Sequence, residues 1–379
     1  MKPQTLILNS IPIDPLTGAI SVPVYQTATF VQQAPGIHKG FDYARSNNPT
    51  RLALENVVAQ LENGHSAYAF ATGLAAIDAV VKLLKAGDEI LAVDDIYGGA
   101  YRLFTQIYAK LGIETRFCDT QNLETLQTEI SPKTKIIWLE SPTNPLLKIS
   151  DIARISALAK KHNCLLVVDN TFAGPLFQKP LELGADIVVH SATKYLGGHS
   201  DLVGGVVVCK DLNVAEQIKY IQNSSGAILG PWDCFLCIRG IETLALRYER
   251  QSQTALELAK FLDQHPKVNK VYYPGLSTHK NHAVAQIQQK GQFGGVLSFD
   301  LKENTNEAAS RVCIDTKLFH LAESLGGVKS LICQPAKMTH ASVPEEVRIG
   351  RGIENSLIRI SIGLEDATDL ITDLQTVLS

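Results

Sequence analysis

At 379 residues, 45% of them hydrophobic and 19% charged, the chain is long enough for two domains or one large one and carries a generous core. A formal net charge of −3 leaves no footprint for nucleic acid or an anionic membrane, and no uncharged apolar run approaches membrane-spanning length. Seven scattered cysteines, an odd number, argue against a disulfide framework, and the first ten residues lack the apolar stretch of a signal peptide; a cytoplasmic protein is expected.

Residues 1 to about 50 show little regular periodicity and are rich in Pro, Thr and Gln. They close on Phe41-Asp-Tyr43-Ala-Arg45-Ser-Asn-Asn48-Pro49-Thr50-Arg51, so the segment reads as an arm draped over something else. Solvent-facing charge is the plain alternative for Arg45 and Arg51. From about 51 to 240 helix and strand patterns alternate. Leu52 to Leu61 is an amphipathic helix stopped by Asn63-Gly64; Tyr68 to Ala71 is a short strand; Thr72-Gly73-Leu74 opens a helix whose bare amides suit an anion. The strand Glu89 to Asp94 delivers Tyr97-Gly98-Gly99, an aromatic free to lie flat on a ring. The strand Lys135 to Glu140 runs into Ser141-Pro-Thr-Asn144-Pro145, a stiff loop. In Cys164-Leu-Leu-Val-Val-Asp169 four apolar residues end in one carboxylate, and such an anion at a pyridine nitrogen keeps the ring an electron sink.

The stretch Asp186-Ile-Val-Val-His190-Ser191-Ala-Thr193-Lys194-Tyr-Leu-Gly-Gly-His199 carries most of the chemistry. A β-branched run breaks into hydroxyls, a lysine and a glycine pair, which places an amine where a sheet opens onto a crevice. Ser191 and Thr193 can hold a phosphate while Lys194 reaches an adjacent carbon, which suits a pyridoxal phosphate (PLP) Schiff base. Beyond Gly204-Gly205-Val-Val-Val208, Cys234 and Cys237 sit at apolar helix positions and read as core packing. The helix Ile241 to Leu262 links to a C-terminal α+β region. That region holds strands at Val271 and Gly295 to Asp300, a helix through Ala308, a strand at Ile358 to Ile362 and a last helix from Ala367 to Leu378. Arg359 on that strand is a natural two-pronged clamp for an amino-acid carboxylate. His190, His199 and His340 fit no metal spacing, and the glycine pairs form no dinucleotide fingerprint.

His190 to His199 resembles the PLP-lysine signature of the Cys/Met-metabolism enzymes: the cystathionine γ-synthases, γ-lyases and β-lyases. Similar signatures recur in the family's order from Tyr43 to Glu365, among them Leu321-Ala-Glu323-Ser324-Leu-Gly-Gly327 and Met338-Thr-His-Ala-Ser342. The resemblance implies PLP transferase fold type I. That means an arm (1–50), a large PLP domain with a mostly parallel seven-stranded sheet (51–240) and a smaller C-terminal α+β domain (241–379). It implies that Lys194 binds PLP and moves protons, Asp169 meets the ring nitrogen, Tyr97 stacks on the ring and assists catalysis, and Asn144 lies beside the ring oxygen. Gly73, Leu74, Ser191 and Thr193 would hold the phosphate, joined by Tyr43 and Arg45 from a neighbouring subunit of a homotetramer. Arg359, Ser324, Glu323 and Arg102 would bind substrate, and no metal is expected. Ala44 and Thr72 depart slightly from the family pattern, and Gly99 stands where methionine γ-lyases carry Cys, which argues against methionine γ-elimination. Glu323 favours γ-elimination or γ-replacement on cystathionine or O-acylhomoserine; β-cleavage of cystathionine is the alternative, and a non-catalytic PLP-binding protein is the remote one.

Overall fold

The computed structural model describes residues 1–341 and 343–379; Ser342, the end of one signature above, lies outside the described residues. Seven strands make the larger sheet: β1 (Ser66–Phe70), β2 (Glu89–Val93), β3 (Glu114–Cys118), β4 (Thr134–Glu140), β5 (Leu165–Asp169), β6 (Ile187–Ser191) and β7 (Gly205–Cys209). Their order is β1-β7-β6-β5-β4-β2-β3. Only β7 runs antiparallel to its neighbours; the other four pairings are parallel. The expected mostly parallel seven-stranded sheet is the one observed. Its inner strands are apolar on both faces, as helix-covered parallel strands must be, and β2 and β7 are buried along their whole length. A five-stranded sheet follows: β8 (Val268–Tyr272), β9 (Val296–Leu301), β10 (His320–Leu321), β11 (Leu331–Cys333) and β12 (Ile358–Ser361), ordered β10-β11-β12-β9-β8.

The helices obey their caps. Asn48 accepts the amides of Thr50 and Arg51 to start the helix Pro49–Glu62, Pro49 sits at a first-turn position that needs no amide, and Asn63 ends it in the left-handed region at φ 55°. The helix Leu244–Asp263 joins two cores. Leu244, Ala245 and Tyr248 pack with the large sheet's core, whereas Ala255, Leu258, Ala259 and Leu262 pack under the smaller sheet. Each such fully buried leucine contributes about 1.5–3 kcal/mol, so the helix fixes one sheet against the other. Cys234 and Cys237 are buried on the helix Pro231–Glu242, in the packing role expected of them.

The arm departs from its irregular reading at one end, and the plain alternative for Arg51 fails. The arm is not wholly irregular: Pro3–Ser10 is helical, with Pro3 in its first turn and Ile7 buried against the large core. Arg51 is not solvent-facing but 1% exposed. Its Nη1 and Nη2 donate to the carbonyls of Ala44 and Arg45 at 2.7 and 3.1 Å, which pins the Tyr43–Arg45 turn to the helix below it.

Candidate active site

The ends of β4, β5 and β6 bring Glu140, Asp169 and Ser191 side by side, at the carboxyl edge where open α/β sheets bind ligands. They wall a cavity of about 250 Å³, and the smaller sheet closes its far side with Arg359. Of the fourteen residues expected at the site, eleven line this cavity: Gly73, Leu74, Tyr97, Asn144, Asp169, Ser191, Thr193, Lys194, Glu323, Ser324 and Arg359. Tyr43, Arg45 and Arg102 do not. Tyr43 is 47% exposed and the Arg45 guanidinium lies 5.7 Å from its ring centroid. Arg102 ends the short helix Gly98–Arg102 that starts beside Tyr97, and its charge acts on the Tyr97 hydroxyl.

Lys194 stands in the turn after β6. Burial pushes its ammonium down to about 8, helped by the Arg359 charge and opposed by Glu323. Its Nζ donates to Ser324 Oγ at 2.7 Å. Ser324 is held at φ 89°, a backbone conformation that non-glycine residues rarely adopt and that costs of order 1–3 kcal/mol. That bend lets its carbonyl accept Arg359 Nη2 at 2.9 Å while its hydroxyl faces the lysine. Arg359 stands on an inner strand: β12 lies between β11 and β9, and the residue is 2% exposed. Its Nη1 donates to Asn144 Oδ1 at 2.8 Å, and its buried Nε has no partner among the described residues.

Asp169 accepts the Thr171 amide at 3.0 Å and joins no ion pair among the described residues. Burial raises its carboxyl above the usual range, against the Thr171 hydrogen bonds and the His190 charge. A carboxylate left in this state suits a ligand that brings its own cation. Thr72 caps the helix Gly73–Val81 by accepting the Ala75 amide, which leaves the Gly73 and Leu74 amides, first in the helix, without an acceptor inside it. A Cβ at Gly73 would stand 2.9 Å from Ser191 Cβ, so only glycine lets this anion-ready turn approach β6. Thr193 Oγ1 is already engaged with Gly204, accepting its amide at 3.0 Å. The Tyr97 ring lies over the α-carbon of Gly99, where any Cβ would collide with it. Burial raises the Tyr97 phenol above its ordinary value, with the Arg102 charge opposing.

Several lining residues were not foreseen: Glu140, Thr171, Phe172, Val203 and Thr339. Glu140 closes the strand Thr134–Glu140, and what sets it apart is its neighbour across the sheet, Asp169, which no local pattern announces. Thr171 follows Asp169 directly; its hydroxyl accepts the Ser191 amide at 2.8 Å and ties β5 to β6.

An amine of lowered basicity, buried carboxylates without a cation, a helix start with open amides, an aromatic and a buried arginine share one cavity, the setting of a pyridoxal-phosphate enzyme that handles amino acids. The residues present fit that cofactor. The family described as Cys/Met metabolism PLP-dependent enzyme matches residues 4–379, and the chain belongs to it. A cystathionine gamma-lyase of Bacillus subtilis is 51% identical over 379 residues, covering 100% of this chain and 99% of the relative. A cystathionine beta-lyase of Coxiella burnetii is 50% identical over 367 residues, covering 96% and 94%. The crystal structure of cystathionine gamma-lyase from Lactobacillus plantarum complexed with L-serine superposes with a TM-score of 0.97 at 44% identity, covering 100% of this chain and 98% of that one.

Proposed function

We propose that the enzyme catalyses γ-elimination or γ-replacement on cystathionine or O-acylhomoserine, as a cystathionine γ-lyase or γ-synthase does. The observation that carries this is Glu323, a carboxylate lining the same cavity as Lys194, Tyr97 and Arg359. Cystathionine carries amino-acid groups at both ends, and a second carboxylate in the cavity can hold the far ammonium while Arg359 grips the near carboxylate. Lys194, Asp169, Asn144 and Tyr97 would hold PLP, with its phosphate on the Gly73 and Leu74 amides and the Ser191 hydroxyl, joined by the Thr193 hydroxyl once it turns from the Gly204 carbonyl. Bound PLP supplies an electron-accepting ring for charge that develops at the substrate's α-carbon. Lys194 Nζ would take the α-proton, and in the γ-reaction it would have to hand that proton on to the cofactor before, neutral again, it could take one from Cβ. Tyr97, whose phenol burial keeps protonated, donates to the departing sulfur or oxygen. Ser324 keeps Lys194 and Arg359 aligned through its hydroxyl and carbonyl.

A second reading, β-cleavage of cystathionine, is favoured by the beta-lyase relative that is 50% identical. Incubating the PLP-loaded protein with cystathionine separates the two. 2-Oxobutyrate with cysteine establishes γ-cleavage, and added O-acylhomoserine then distinguishes synthase from lyase. Pyruvate with homocysteine overturns the γ reading. Lys194→Ala is expected to abolish turnover and the visible absorbance of the bound cofactor.

The same reading includes a homotetramer whose dimers share sites, supported by Tyr43 and Arg45 lying away from their own cavity, and a cytoplasmic setting, supported by seven free, buried thiols. It also keeps the division at residues 50 and 240, supported by the strands of the two sheets falling within 66–209 and 268–361.

A further inference from the structure

The parallel register of β4 and β5 sets Glu140 directly opposite Asp169, and both carboxyls face the cavity. Neither has a cation within ion-pair distance among the described residues. Like charges paired across a ladder repel, and two buried carboxyls this close cannot both ionise cheaply, so one keeps its proton. Asp169 has the Thr171 amide, the Thr171 hydroxyl and the His190 charge to favour its anion. Glu140 is 4% exposed and faces Asp95 as well as Asp169. Burial, with Asp169 next and Asp95 adding to it, holds Glu140 well above the usual carboxylate range, against the Tyr97 and Asn144 amides that favour its anion.

Glu140 also touches the two segments that carry recognition. Its Oε2 accepts the Tyr97 amide at 2.9 Å, and the Asn144 amide faces it from the next loop. Asn144 in turn orients Arg359. Lys194 and Arg359 supply the cavity's positive charge from its other walls.

We propose that Glu140 is a positioning residue: uncharged, it ties the Tyr97 turn to the Asn144 loop and leaves Asp169 the only charged carboxylate on that wall. The proposal rests on the assignment of Asp169 to the ring nitrogen.

The test compares Glu140→Ala, Glu140→Gln and Asp169→Asn in the PLP-loaded protein. KM and kcat, the visible cofactor band, the thermal midpoint and the infrared carboxylic-acid band are read for each. Glu140→Ala loses the support of two amides and is expected to raise KM about tenfold and displace the visible band. Glu140→Gln restores a neutral acceptor; it should recover most of that loss while the carboxylic-acid band of the wild type disappears. A Gln variant as impaired as Ala, with no acid band in the wild type, would overturn the proposal. So would an Ala variant that lowers the thermal midpoint and leaves KM and the visible band alone. Asp169→Asn reports separately: retained turnover there defeats the ring-nitrogen assignment, whatever the Glu140 variants do.

Discussion

The role proposed for Lys194 as a nucleophile is supported by surroundings that make it a weaker base than an ordinary lysine. Burial favours the neutral amine, the Arg359 charge adds to that, and the result is a value of about 8 in place of 10.5. The sign is simple: a lowered lysine value places the neutral, attacking form at lower pH. The cofactor-free protein should therefore capture added PLP at a rate that climbs with pH and levels off above about 8, as followed by the growth of visible absorbance. A climb that continues toward 10.5 would mean that the site does not depress this lysine. Arg359 invites a sharper substitution. Arg359→Lys keeps the charge but cannot span Asn144 Oδ1, the Ser324 carbonyl and the substrate carboxylate proposed for this site together. Losing a charge-assisted pair of hydrogen bonds is worth roughly 1.5–3 kcal/mol, so KM should rise about 10- to 100-fold with a smaller fall in kcat. Lys194, Asp169 and Arg359 are all legible, because Asp169 closes and Arg359 interrupts an apolar strand and Lys194 follows one in a turn that runs into a glycine pair. Glu140 was not: its meaning comes from standing opposite Asp169, and strand register is a long-range fact that no local pattern encodes. The bent backbone of Ser324 was equally hidden, since nothing beside a serine announces a positive φ.

Elements were readable in proportion to their burial. The strands ending in Glu140, Asp169 and Ser191 are almost wholly apolar and were placed to within a residue or two. β3 is an edge strand, Glu114–Cys118, mostly half-buried and alternately charged, and it gave no apolar run to find. The helix Pro3–Ser10 spans only two turns, too short for a helical period to stand out. Caps, by contrast, make local predictions. Asn48 is fully buried; its carbonyl oxygen accepts two amides of the following helix and its Nδ2 donates to the Tyr25 carbonyl at 2.8 Å. Asn48→Ala removes the cap and one of the two donors to the Tyr25 carbonyl, which keeps the Thr27 amide, a loss of about 1–2 kcal/mol that should appear as a lower thermal midpoint. Asn48→Asp keeps the acceptor and loses only the donor, so it should recover part of that loss. Equal midpoints for the two variants would assign the whole effect to the arm contact and none to the cap.

At the scale of the whole molecule, the arm is what a single chain leaves unexplained. Leu16, Ile20 and Val31 are each more than 80% exposed, and an apolar groove lined by Leu16, Val22, Tyr25, Phe30, Val31 and Phe41 lies open on the arm. Apolar surface of this kind supports the proposed contact with a second copy. Arg51 meanwhile holds the Tyr43–Arg45 turn rigid outside its own cavity, a costly use of a buried arginine unless that turn is presented to something. If it completes the site of a second copy, two inactive proteins should repair each other. A Lys194→Ala chain still presents Tyr43 and Arg45, and a chain with Tyr43→Ala and Arg45→Ala still carries Lys194. In a mixed dimer one site has both losses and the other has neither. Random reassembly of equal amounts makes half the dimers mixed, so the mixture should regain about a quarter of wild-type turnover, although each parent alone is nearly inactive. Separate unfolding and refolding of the two parents before mixing, without co-refolding, gives the baseline. Turnover that stays at the sum of the parents after co-refolding would place Tyr43 and Arg45 in service of their own chain, and the exposed turn would then need another explanation.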